Sequence, residues 1–196
     1  MIVAPEGALI VAIDGVDGSG KSRLAAALAE SLTAGGHPVT IVHVDDFRRP
    51  LELTGLDPQA EADAYYDGYY DFTAVGAALA SAARAGTAIL EGVMSLRAGL
   101  PPDSWLVVLQ VSAAEARRRI LSRDQAKGRS PEEVSRRIDR RYFPAQARYR
   151  EAHDPVGRAH ALIDNEDWQR PRLLRRDPGM PRALAAALAD VLGAAA

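Results

Sequence analysis

The residues from Gly15 to Ser22 have the types and spacing of a loop that binds nucleotide phosphates. Glycines let backbone N–H groups close around phosphate oxygens, and the helix that follows points its positive end at them. In this pattern Lys21 reaches the β- and γ-phosphates, and the Ser22 hydroxyl ligates Mg²⁺. We therefore predict a site for ATP and Mg²⁺. It comprises Gly15, Val16, Asp17, Gly18, Ser19, Gly20, Lys21 and Ser22.

Two acidic positions follow apolar runs that predict strands. Asp45 ends the run 39–44 and is our candidate for the base that accepts a proton from an alcohol during phosphoryl transfer. Its neighbour Asp46 either holds Mg²⁺ through water or caps a turn, and an Asp-Asp pair can also serve a turn alone. Glu91 ends the run 88–90 and is predicted to order Mg²⁺-bound water. The alternative for Glu91 is a solvated surface residue.

A basic stretch from 117 to 129 is predicted to form a lid, at about residues 117–135, whose guanidinium groups bind transferring phosphates. Arg119 and Arg123 are four apart and share a helix face. We assign Arg123 to catalysis, Arg119 to the nucleotide and Arg129 to the substrate. The alternative is a solvated helix face, and at least one of the three consecutive arginines must point elsewhere.

Four of the six tyrosines lie at positions 65, 66, 69 and 70, next to Asp71. Such a cluster could stack on a ring-shaped substrate and hydrogen-bond its hydroxyls, or it could pack in the core.

The surrounding pattern alternates strands and helices, which predicts an α/β fold: a three-layer P-loop fold with a mostly parallel five-stranded sheet and a small helical lid. In such a sheet, ligands bind at the carboxyl ends of the strands, where the acids above fall. Ser112 and Ser130 each precede a glutamate by three residues and predict helix starts. Predicted strands are 9–13, 39–44, 88–92, 105–111 and 161–163; predicted helices include 21–34, 72–85 and 181–192.

Length and composition limit the classes of protein. The 196 residues suit one domain, 1–196, and the net charge of -2 gives no field for nucleic acid or membrane. Cysteine is absent, which excludes disulfides and thiolate sites, and the apolar runs are too short to span a bilayer. We expect a cytoplasmic protein with a small-molecule alcohol as partner, without nucleic acid or membrane; a homo-oligomer is compatible with the sequence.

Over residues 9–168 the chain resembles the uridine kinase and phosphoribulokinase-like branch of P-loop kinases, which includes pantothenate kinases. The motifs are Gly15 to Ser22, Val44-Asp45-Asp46-Phe47, Tyr70-Asp71-Phe72, Leu90-Glu91-Gly92, the arginine lid and Ala161-Leu162-Ile163-Asp164-Asn165. The resemblance implies Asp45 as base, Glu91 near Mg²⁺, lid arginines on the phosphates, and Phe47, Tyr70 and Asp71 around the acceptor, with Asp71 on its hydroxyls.

Two departures concern the acceptor. Uridine kinases usually have Tyr after the Phe of the Asp-x-Phe motif, whereas this chain has Arg48 and Arg49. They also insert a hairpin before the Glu strand that shapes the base pocket, and here Gly86-Thr87 leads directly into Ala88. The sequence therefore predicts a kinase of a nucleoside or of another small alcohol, such as a sugar, vitamin precursor or specialised metabolite. A regulatory P-loop NTPase is the rival from another class.

Overall fold

A computed structural model describes residues 8–53 and 55–193; the predicted domain's ends, 1–7 and 194–196, and position 54 lie outside the described residues. The described residues form a sheet with the order β2-β3-β1-β4-β5-β6, in which the first five strands are parallel and β6 runs antiparallel to β5. The strands are β1 Ile10–Gly15, β2 Val39–His43, β3 Thr87–Glu91, β4 Trp105–Gln110, β5 Ala161–Asp164 and β6 Arg172–Arg176.

The sixth strand corrects the predicted count of five. Its sequence, Arg-Leu-Leu-Arg-Arg, has no alternation of apolar and polar residues, and every one of its side chains is exposed. Because β6 lies at the sheet edge and pairs only with β5, its formation depends on that neighbour rather than on burial of one face.

The helices cover both faces of the sheet. Their bounds are α1 Lys21–Ala34, α2 Pro58–Gly68, α3 Phe72–Ala85, α4 Ala113–Gln125, α5 Pro131–Arg137, α6 Phe143–His153, α7 Pro155–Arg158 and α8 Arg182–Gly193. The predicted bounds of α1 and α3 are confirmed. Both predicted serine caps are also present, since Ser112 accepts the N–H of Glu115 and Ser130 that of Glu133.

The core lies in two layers because neighbouring strand residues point to opposite faces of the sheet. Ile10 and Leu90 pack with α2, α3 and α6, whereas Ile13 and Ile89 pack on the other face with α1 and α8. Burying one such side chain contributes about 1.5–3 kcal/mol. The predicted three-layer arrangement is confirmed. Because the first five strands are parallel, their carboxyl ends lie along one edge of the sheet.

The predicted lid, residues 117–135, comprises most of α4, a turn at 126–130 and the start of α5. A π-helical turn, Ile138–Tyr142, then joins α5 to α6. Among the described helices, none combines the length and apolar content needed to cross a bilayer.

Candidate active site at the carboxyl edge of the sheet

The phosphate-binding loop connects β1 to α1 and is tied to the end of β5. Gly20 has φ 96°, and a Cβ there would lie 2.6 Å from Asn165 Nδ2. Glycine is therefore required for both the left-handed backbone and the close approach. The Asn165 side chain donates to the Ser19 carbonyl oxygen at 2.7 Å. These contacts fix the loop at the N-terminus of α1, which carries the positive end of the helix dipole.

Lys21 lies over the loop that precedes it. Its ammonium donates to the Val16 carbonyl oxygen at 2.9 Å, and the residue is only 7% exposed. The charge lines a cavity of about 280 Å³ together with Gly18 and Gly20 of the loop. That arrangement suits the phosphates of a nucleotide.

Ser22 and Glu91 meet beside the loop, as the prediction of an Mg²⁺ site requires. The Ser22 hydroxyl lies 3.2 Å from both carboxylate oxygens of Glu91. Hydroxyl and carboxylate oxygens fit the preference of Mg²⁺ for hard oxygen ligands. Residues 8–53 and 55–193 contain no group of three His, Cys, Asp or Glu side chains that could hold a metal unaided.

His43 was given no role from the sequence, yet it contacts the same carboxylate. In the parallel pairing of β2 with β3, His43 lies opposite Glu91, and its Nδ1 is 2.6 Å from Glu91 Oε1. The two residues end neighbouring strands, but only the register of the sheet reveals that they meet.

Asp45 lies just after β2, on the 3₁₀ turn Val44–Phe47, and its side chain is 60% exposed. Tyr70 donates its hydroxyl to Asp45 Oδ1 at 3.1 Å, and Arg48 Nη2 lies 3.3 Å from Oδ2. The 280 Å³ cavity brings together most of the predicted chemical groups. Its lining includes Asp17, Lys21, Ser22, Asp45, Glu91, Arg119 and Arg123.

The segment that carries Asp45 is joined to the start of α3 by short strand-like contacts. Arg49 N–H donates to the Tyr69 carbonyl oxygen at 2.8 Å, and Asp71 N–H donates to that of Phe47 at 2.9 Å. Asp71 Oδ1 caps α3 by accepting the N–H of Ala74, and Oδ2 accepts from Arg49. These hydrogen bonds, the Ala74 one foremost, lower the pKa of Asp71. Both of its oxygens are therefore engaged within the chain.

The tyrosine cluster is mainly core. Tyr65, Tyr66 and Tyr70 are 2–7% exposed and pack among apolar residues, as the core-packing alternative predicted. Tyr70 nevertheless reaches the site through its hydroxyl. Phe47 is outside the lining of the cavity that contains Asp45 and instead lines a groove beside Ala78 and Ala82 of α3.

The three predicted lid arginines occupy different places. Arg119 donates to the carbonyl oxygens of Gly18 and Asn165, at 3.2 and 2.8 Å, and so joins α4 to the loop. Arg123 is 45% exposed, and its Nη1 lies 4.0 Å from Asp17 Oδ1. Arg129 instead pairs with the buried Asp124 and is outside the lining of the 280 Å³ cavity.

A larger cavity, of about 660 Å³, adjoins the loop on the side of α1 and α8. The Arg23 guanidinium lies 4.2 Å from the ring centroid of Trp168, on one wall. The volume and the planar groups suit the remainder of a nucleotide. Neither residue was singled out in the sequence, because a lone Arg and a lone Trp have no spacing to signal a site.

Asp14, the residue before the phosphate-binding loop, is hydrogen-bonded by two buried side chains, Tyr149 of α6 and Ser95. Tyr149 donates to Asp14 Oδ2 at 2.6 Å, and Ser95 donates to the same oxygen at 2.5 Å through its hydroxyl. Burial raises the pKa of Asp14, although these two donors act to lower it. Asp14 directly precedes the loop, so this network anchors the loop's first residue to two distant segments.

The sheet, the phosphate-binding loop and the site together define a P-loop fold of the kinase type, and solved structures share it. A "possible uridine kinase" from Bacillus stearothermophilus has a TM-score of 0.57 at 21% identity, over 82% of this chain and 90% of that one. A provisionally described fructose transport system kinase from Silicibacter sp. TM1040 has a TM-score of 0.56 at 26% identity, over 76% and 88%. No family model and no curated protein sequence matches the chain. The predicted resemblance to these kinases is confirmed in the fold.

Proposed function

We propose that the protein is an ATP-dependent kinase that transfers the γ-phosphate to a hydroxyl group of a small molecule. One observation carries the proposal: Asp45, an exposed carboxylate whose ion-pair partner Arg48 is also exposed, lines the same cavity as Lys21 and Ser22 of the phosphate-binding loop. A switch or regulatory NTPase needs a positioned water at this point, whereas an exposed carboxylate beside an open cavity suits an incoming alcohol.

In the proposed reaction the alcohol oxygen bonds to the γ-phosphorus as the bond to the β-phosphate oxygen breaks. The alcohol proton passes to Asp45, and the products are a phosphate monoester and ADP. Tyr70 holds one oxygen of Asp45 by its hydroxyl, which orients the carboxylate. Lys21 and Arg123 stabilise the negative charge of the phosphates.

Ser22 and Glu91 would hold Mg²⁺, which supplies neutralisation of phosphate charge when bound. His43 contacts Glu91 from the adjacent strand and fixes the orientation of that carboxylate, as outer partners of metal ligands commonly do. Arg119 would contact the nucleotide from α4, and its present bonds to Gly18 and Asn165 place it beside the loop.

The acceptor in this proposal is most simply a nucleoside or a sugar-like alcohol. The two structural neighbours are described as a possible uridine kinase and a fructose transport system kinase, which supports this class. Gly86 alone separates α3 from β3, so no hairpin stands there to enclose a base. The region of the acceptor is instead bordered by arginines, Arg48 and Arg49, with side chains about half exposed.

The test is a panel of nucleosides, sugars and vitamin precursors incubated with ATP and Mg²⁺, with phosphorylated products detected by mass spectrometry. We expect one compound class to be converted, and Asp45→Asn to lower its turnover by about 10²–10⁴-fold with unchanged ATP affinity. Asp103→Asn, which removes an exposed carboxylate outside the cavity, is the control and should keep activity. Unchanged turnover in Asp45→Asn contradicts the base assignment. ATP hydrolysis stimulated by a protein, with no phosphorylated small product, contradicts the kinase.

A further inference from the structure

Gln146 of α6 is distant in sequence from the phosphate-binding loop but hydrogen-bonds to the Asp17 carboxylate of that loop. Its Nε2 donates to Asp17 Oδ2 at 2.7 Å, and its Oε1 accepts the backbone N–H of Asp17 at 3.2 Å. Gln146 is only 2% exposed, so water does not compete for these bonds. With both ends of the amide engaged, the Asp17 side chain is held in one orientation.

The second oxygen of Asp17 has no such partner. Within residues 8–53 and 55–193, no group donates a hydrogen bond to Oδ1, and Arg123 Nη1 is 4.0 Å away. Asp17 lines the same cavity as Asp45 and Lys21. An acceptor oxygen on the wall of a ligand cavity, held in place but not hydrogen-bonded, is available to a donor on the ligand.

A tyrosine cluster connects the surroundings of Asp17 with Asp45. The Tyr65 hydroxyl lies 3.3 Å from that of Tyr70, which donates to Asp45 Oδ1. Burial raises the pKa of Asp17, against the opposing effects of Lys21 and Arg123. Burial first, and the charge of Asp17 second, raise the pKa values of Tyr65 and Tyr142. Asp17 is therefore close to the cluster whose member Tyr70 contacts Asp45, and its carboxylate, 18% exposed, would be stabilised by an additional donor.

We propose that Asp17, oriented by Gln146, binds a second hydrogen-bond donor of the acceptor while Asp45 takes the reactive hydroxyl. The inference rests on the kinase function proposed above and narrows its substrate class to polyhydroxy compounds, against alcohols with a single polar group. Asp17 belongs to the loop that binds the phosphates. A hydroxyl bound to Asp17 would therefore position the acceptor next to the γ-phosphate.

Asp17→Asn tests the role of this oxygen with little disturbance of the loop. The asparagine Oδ1 can keep the bond from Gln146, while its NH₂ group turns toward the cavity. An NH₂ group cannot accept a hydrogen bond and has no charge, so the ligand's donor loses its charged acceptor. We expect the KM for the acceptor to rise about 10–100-fold, the loss of one hydrogen bond to a charged group, with kcat and the KM for ATP within about threefold of the native values. Asp103→Asn, at an exposed position just before β4 and outside the cavity, is the control and should leave all three constants unchanged.

A series of acceptor analogues, each lacking one hydroxyl, assigns the contact. With the native enzyme, one analogue that keeps the reactive hydroxyl should lose a similar factor in kcat/KM, and Asp17→Asn should cause no further loss with that analogue. If Asp17→Asn does not fold, the native enzyme still decides, because indifference to every non-reacting hydroxyl overturns the proposal.

The role of Asp17 and the kinase activity can fail independently in these experiments. Product formation by the native enzyme, with an unchanged acceptor KM in Asp17→Asn, overturns the role of Asp17 and leaves the kinase standing. A rise confined to the KM for ATP also overturns it, since Asp17 would then serve the donor. If no alcohol in the panel is phosphorylated, the kinase proposal fails and this one fails with it.

Discussion

The donor side and the acceptor side of the site are built by different kinds of contact. The phosphate-binding loop is held by buried bonds from Asn165, Gln146 and the Asp14 network. Around Asp45 and Asp71 the charged contacts are two ion pairs, Asp45 with Arg48 and Asp71 with Arg49, whose arginine side chains are about half exposed. Exposed pairs are worth at most about 1 kcal/mol, so this side can change its residues at little cost in stability.

The largest effect is expected on the donor side, at Lys21. The chain has only two lysines, Lys21 in the loop and the exposed Lys127 in the turn after α4. Lys21→Ala should lower ATP-dependent product formation by about 10³-fold, or roughly 4 kcal/mol, because a charge facing the phosphates is lost. Lys127→Ala should remain active within about twofold in the same steady-state assay. A loss of less than tenfold for Lys21→Ala would contradict the assignment of the loop.

The support behind the loop should give the next largest effect, measured as stability. Asp14→Ala removes the acceptor of the Tyr149 and Ser95 hydroxyls and leaves buried donors unpaired. We expect the free energy of unfolding in urea to fall by about 3 kcal/mol. Asp103→Ala, at an exposed position between β3 and β4, serves as the control and should change it by less than about 0.5 kcal/mol. Equal stabilities for the two variants would show that the donor side is not anchored through Asp14.

A smaller effect is expected at the start of α4. Hydrogen bonds from Arg118 and Arg119 lower the pKa of Glu115 from 4.5 to about 2. Because the folded pKa is the lower one, this stabilisation is present above pH 4.5 and is lost as the pH falls from 4.5 toward 2. Stability measured by urea unfolding across that window should fall less steeply in Glu115→Gln than in the native chain. Glu52→Gln, at an exposed site, should leave the slope unchanged; identical slopes for all three proteins would refute the coupling.

The smallest effect is expected on the acceptor side, at Arg49. Arg49→Ala removes the ion pair with Asp71 but leaves the Asp71 cap of α3 intact. The free energy of unfolding should change by less than about 1 kcal/mol, whereas Asp71→Ala loses the cap as well and should cost about 1 kcal/mol more. Thermal or urea unfolding of the pair measures the difference. A cost for Arg49→Ala as large as that for Asp14→Ala would remove the contrast between the two sides.

Local pattern was sufficient for much of the fold and for the donor chemistry. The loop from Gly15 to Ser22, the bounds of α1 and α3 and the caps at Ser112 and Ser130 all depend on residues within a few positions of one another. Their signals are therefore visible in a short window of sequence. The exposed strand β6 was missed because its pairing with β5, and not its own composition, makes it a strand.

Only the tertiary structure decided which distant residues complete the site. Gln146 lies 129 positions from Asp17, and Tyr149 lies 135 positions from Asp14, so no spacing rule connects them. His43 reaches Glu91 because the β2–β3 register places them opposite each other. By itself, the sequence determined a phosphate-binding loop, because its chemistry is carried by adjacent residues. Packing determined what surrounds that loop, because contacts between helices and strands depend on how the whole sheet is assembled.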